Sequence, residues 1–150
     1  MKKLSMIAAI AFLSLLCNVH AVVAQEAVTC KVLTIEATNS GNGVDSALQP
    51  YAAIFKKKPF DTFNSFALIS EKEYTLKLNQ PLQLSLPTQL TGTLEFRGND
   101  KNNLKLQLHL TKNEGAPIVI NGTASDGAPF MAAGYKSPLG RWVIAIKCNK

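Results

Sequence analysis

Leu104, Leu106, Leu108 and Leu110 alternate with Lys105, Gln107, His109 and Thr111, and no other run constrains the fold of this chain as strongly. A period of two puts the leucines on one face of a strand and the polar side chains on the other. A sheet with one buried and one wet face requires that arrangement.

The same period runs through much of the chain beyond Phe63. Phe66–Ile69 and Glu73–Leu78 have strand character, the second with Tyr74, Leu76 and Leu78 opposite Thr75 and Lys77. Leu82, Leu84 and Leu86 alternate with Gln83 and Ser85, and Thr91–Arg97 sets Leu94 and Phe96 against Thr93 and Glu95. Pro117–Thr123, Phe130–Tyr135 and Arg141–Lys147 follow, separated by turns at Asn113–Ala116, Ser125-Asp126-Gly127 and Ser137-Pro138-Leu139-Gly140. Upstream, Cys30–Ala37 alternates imperfectly, but its β-branched content favours a strand. Between Thr38–Gly43, a turn-rich loop, and Pro59 lies the one helical pattern. Asp45 or Ser46 offers its N-cap, and Ala47, Leu48, Tyr51, Ala52, Ile54 and Phe55 form its apolar face. Pro50 fits only a first turn, which moves the expected start toward Gln49. Short strands at spacings of about ten residues, with one short helix, predict an all-β domain, either an antiparallel β-sandwich or a partly open barrel.

The N-terminus has a different pattern. Lys2 and Lys3 precede an apolar run, Leu4–Leu16, too short to span a bilayer as a stable helix. Val22-Val23-Ala24 then supplies small or modest residues for a signal peptidase. Residues 1–24 therefore read as a signal peptide cut after Ala24, with Ala21 as a second candidate, and residues 25–150 as a single β-rich domain. Cys17 is preceded by Leu16, where a lipobox calls for a small residue, so it reads as part of the apolar run. The domain is expected outside the cytoplasm, periplasmic or extracellular. It has no further stretch approaching the roughly 18 apolar residues of a membrane helix.

Losing Lys2 and Lys3 takes the net charge from +6 to +4. The basic residues are scattered rather than gathered in a stripe, which argues against nucleic acid as a partner. Cys30 and Cys148 remain near the two ends, and in an oxidising compartment they read as a disulfide. The closed loop of about 119 residues corresponds to roughly 5 kcal/mol of chain entropy, less where pairing already holds its ends.

Few residues suggest chemistry. His109 lies on the wet face of its strand and reads as a solvated surface residue. Glu71 and Glu73 share a face and are flanked by Lys72 and Lys77, a solvated pair, although a hydrolase pairing Glu71 with Asp126 is a third, weaker reading. Asn99-Asp100 and Asp126-Gly127 lack calcium-loop spacing, no metal site is indicated and no cofactor is implied. Asn121-Gly122-Thr123 matches a glycosylation sequon within a strand and reads as chance. Lys56, Lys57 and Lys58, with Phe60 close by, are a candidate contact for a partner or membrane surface; their alternative role is to complement a helix C-terminus. Tyr135, Arg141 and Trp142 are candidates for a ligand groove, with Trp142 equally a core anchor.

Pro59-Phe60, Ser65-Phe66-Ala67-Leu68-Ile69, Gly127, Phe130, Ala133-Gly134 and the final Gly140-Arg141-Trp142-Val143-Ile144-Ala145-Ile146 form a further pattern. It resembles an uncharacterised family of small secreted Gram-negative bacterial β-proteins with a "PF…SF-LL" junction and a C-terminal "G-x-L-I-L-A-I"-like strand. The resemblance implies an all-β fold and an envelope location, and it carries over no catalytic residue.

These readings point to a non-catalytic binding or accessory module whose partner is an envelope protein. The alternative is a small-ligand or lipid carrier with a cavity lined by the Leu104–Leu110 face. The expected mature N-terminus is testable: intact-mass measurement on protein secreted from its native host should give a chain beginning at Gln25, and a chain retaining residues 1–24 would refute the signal reading.

Overall fold

The computed structural model describes residues 26–87, 89–113, 115–125 and 127–149. The expected signal peptide and its cleavage site lie outside these residues, as does Asp126. Nine strands are described: β1 (Ala27–Thr38), β2 (Gly43–Val44), β3 (Ser65–Lys77), β4 (Pro81–Leu84), β5 (Leu90–Asp100), β6 (Asn103–Lys112), β7 (Ile118–Ser125), β8 (Phe130–Lys136) and β9 (Gly140–Asn149). They form two sheets, one ordered β2-β3-β1-β9-β8 and the other β4-β5-β6-β7. The architecture is a sandwich rather than a barrel. All pairings are antiparallel except the short parallel contact of β2 with β3.

The leucines of β6 face inward, each 3% exposed or less, against Val28, Val32, Leu76, Leu94, Phe96, Ile144 and Ile146. A second core lies on the other side of the five-stranded sheet, where Leu33, Ile35, Ala37, Val143 and Ala145 meet Leu48, Phe55, Phe60 and Phe66. The helical segment covers this face. It comprises a 3₁₀ stretch, Ser46–Tyr51, followed by a single α-helical turn, α1 (Ala52–Phe55). Asp45 caps it as expected, its carboxylate accepting from the Ala47 N–H at 3.1 Å. Pro50 sits inside the 3₁₀ stretch, so the α-helical turn begins later than Gln49. Phe55 stacks on Phe66 at 4.0 Å between centroids and meets Phe60 edge-on at 6.3 Å.

The two cores explain why β1 alternates poorly: a central strand covered on both faces has no wet side to advertise. They also explain β3, which is one strand rather than two. Its register with β1 shifts by one residue at Ile69, so Phe66 and Leu68 pair with Ala37 and Ile35 on the outer face. Tyr74 and Leu76 pair with Cys30 and Val28 on the inner face. One extra residue inverts the alternation and lets residues of the same parity serve both cores. A second shift, at Arg97 in β5, is followed by Gly98 at φ +112°, a conformation that favours glycine.

Cys30 and Cys148 occupy directly opposed positions on β1 and β9, with their sulfur atoms at bonding distance. Because the two strands are already paired, replacing both cysteines with alanine is expected to cost about 2–4 kcal/mol, less than the full loop entropy. Urea denaturation of the oxidised protein and the double variant measures this, and equal midpoints would exclude a stabilising role.

Candidate functional site

The structure separates the residues expected to form a groove. Arg141 points to the outer face of the five-stranded sheet, its guanidinium 3.3 Å from the Gly134 carbonyl oxygen, while Trp142 points to the inner face and is 5% exposed. Tyr135 packs against the inner core, and its hydroxyl lies 3.2 Å from the Leu110 oxygen and 2.9 Å from the Ala116 oxygen. It ties the β6–β7 connection to β8.

The lysine cluster is divided in the same way. Lys56, Lys57 and Lys58 are exposed, but Phe60 is only 5% exposed and belongs to the outer core. This corrects the expectation of an apolar side chain available beside the lysines. The ring is consumed in packing against Phe55.

His109 is half-buried on the outer face of β6, with Nε2 3.0 Å from Gln107 Oε1. Gln107 in turn donates to Asn121 Oδ1 at 2.8 Å, so the sequon asparagine is one rung of a polar ladder across β6 and β7. Glu71 pairs with Lys31 at 2.7 Å. The hydrogen bond to Glu71 and then its charge raise the Lys31 pKa, and both side chains remain exposed. Such a pair resembles a solvated contact more than a poised acid and base. Asp126, its suggested catalytic partner, is outside the described residues. Among the described residues, no three His, Cys, Asp or Glu side chains gather at metal-binding distance, and no helix is long and apolar enough to cross a membrane.

Among the described residues the least protected surface is a sheet edge; which strand forms it is not legible from the sequence, because edge position depends on long-range pairing. Each sheet has two free flanks, in the five-stranded sheet on β8 and, beyond the two residues that β2 covers, on β3, and three of these four flanks are guarded. The free flank of β3 carries Glu71, Lys72, Glu73 and Lys77; β4 has four residues and opens on Pro81; β8 is kinked by a register shift between Ala133 and Lys136. Charge, proline, shortness and bulges all block pairing with another chain. In contrast, β7 (IVINGTAS) has eight residues without charge or proline. Its outer side is bridged only at Ser125, to Ala128, among the described residues. Val119 and Ile118 at its start are 48% and 36% exposed. Alternate backbone N–H and C=O groups along such an edge point away from the sheet and remain open to a partner.

No family model matches the chain, and neither the curated proteins nor the solved structures contain a significant match to it.

The fastening role of Tyr135 is testable. Tyr135→Phe removes a hydroxyl shared by two carbonyls and is expected to lower stability by about 0.5–1.5 kcal/mol. Chemical denaturation checks this, and an unchanged midpoint would return Tyr135 to the candidate binding residues.

Proposed function

We propose that the protein is a non-catalytic binding module of the cell envelope, acting in the periplasm or outside the cell, and that it takes an extended segment of an envelope protein as an added strand on β7. The observation that carries this reading is the contrast between β7 and the three guarded edges. An added strand supplies affinity through main-chain hydrogen bonds and specificity through alternate side chains. Val119 and Ile118 offer the apolar contacts for those side chains at the open end of the edge. The disulfide between β1 and β9 supports an oxidising location.

The carrier reading is less well supported, because the Leu104–Leu110 face that would line its cavity is packed into the core with almost no exposure.

Placing a photo-crosslinking residue at position 119, and separately at Gln83 on β4, tests the proposal in native envelopes. A discrete crosslinked protein is expected from position 119 and not from position 83, with slowed amide exchange along β7 in the complex. Val119→Lys is expected to weaken capture about tenfold, equivalent to 1.4 kcal/mol. It should leave folding stability within about 0.5 kcal/mol, as for other exposed substitutions. Equal crosslinking from both positions, or unchanged exchange in β7, would overturn the reading.

A further inference from the structure

The end of the sandwich away from the disulfide holds a cavity of about 390 Å³. Its described walls are Gln89 and Leu90 at the start of β5, Lys112 at the end of β6, Lys136 at the end of β8, Pro138 in the next turn and Trp142 on β9. Leu90 and Trp142 are 4% and 5% exposed and form an apolar floor, while both lysines are exposed. The lysines come from opposite sheets, and the Lys112 ammonium donates to the Lys136 carbonyl oxygen at 3.4 Å, which brings the two residues together across the mouth.

Neither lysine forms an ion pair with a described residue, and the described lining contains no acid. Glu36, the cross-strand neighbour of Trp142, is not part of the lining. An apolar slot with two cations at its lip that no described acid pairs with is complementary to one kind of small molecule. Its volume falls toward the lower end of the usual range for small-ligand sites, about 300–1,000 Å³.

We infer that this cavity binds a small amphipathic anion, a single short apolar chain ending in a carboxylate. The chain lies against Trp142 and Leu90, and the carboxylate accepts charge-assisted hydrogen bonds from Lys112 and Lys136. The site is separate from the β7 edge and does not depend on strand addition, since no β7 residue is among its described walls.

The chain contains a single tryptophan, so its fluorescence reports directly on this cavity. Sodium octanoate, titrated below its micellar concentration into the folded disulfide-bonded protein, is expected to produce a saturable change in Trp142 emission. Octyltrimethylammonium, with the same chain and the opposite charge, should produce none. The double variant Lys112→Gln/Lys136→Gln should bind octanoate at least about tenfold more weakly, as loss of hydrogen bonds from a charged donor implies. Its circular dichroism should match that of the parent, because both side chains are exposed. No saturable change, an equal response to the cationic amphiphile, or undiminished binding by the double variant would each overturn the inference.

Discussion

The pairing of β1 with β9 is the contact on which the rest of this structure depends. The two strands lie side by side within the five-stranded sheet, in unbroken register from Thr29 opposite Asn149 to Thr38 opposite Gly140. Both are covered on both faces, by the four-stranded sheet on one side and by the helical segment on the other. Neither core can be complete until they meet, yet their cysteines are separated by 118 positions in sequence. The disulfide holds together a contact whose loop-closure entropy is among the largest the chain could incur. The fold is therefore organised around its two ends, and the intervening strands are placed against that pair.

Supporting two cores with one sheet imposes a further constraint, because strict alternation assigns each parity to a single face. The register shift at Ile69 resolves it within β3: Phe66 and Leu68 serve the outer core, Tyr74 and Leu76 the inner. The displaced residue, Ile69, is left 42% exposed. An exposed isoleucine is a small cost beside four well-placed apolar side chains.

What could be read from the sequence follows from the same physics. β6 was legible because one of its faces is wet, so its alternation is complete. β1 blurred because burial on both faces removes the polar half of the signal. In the sequence β3 reads as two short strands because a bulge is invisible to periodicity, although Phe66–Ile69 and Glu73–Leu78 mark its parts. Asp45 was legible as a cap since capping is local, whereas Phe60 was misplaced beside the lysines because its burial depends on Phe55 and Phe66. For the candidate site, β7 was recognisable as a strand, but its edge position was not. Trp142 was legible as a groove candidate, but its convergence with Lys112 and Lys136 was hidden for the same reason, since the three come from three separate strands.

The two ends of the sandwich differ in the way the proposed binding role requires. At one end the disulfide and the β1–β9 ladder hold the sheet centre, and the nearby charged flank of β3 discourages further pairing. At the other, β7 begins with two exposed apolar residues, Tyr135 fastens the adjoining connection to β8, and the Trp142 cavity opens between the sheets. Recognition by main-chain pairing requires an edge that stays extended before the partner arrives, because ordering it on binding would subtract from the affinity. The Tyr135 hydroxyl contributes that pre-organisation by holding the chain at Ala116, two residues before β7 begins. An edge held in this way can remain open without collapsing onto its own sandwich, as the proposed strand addition on β7 requires.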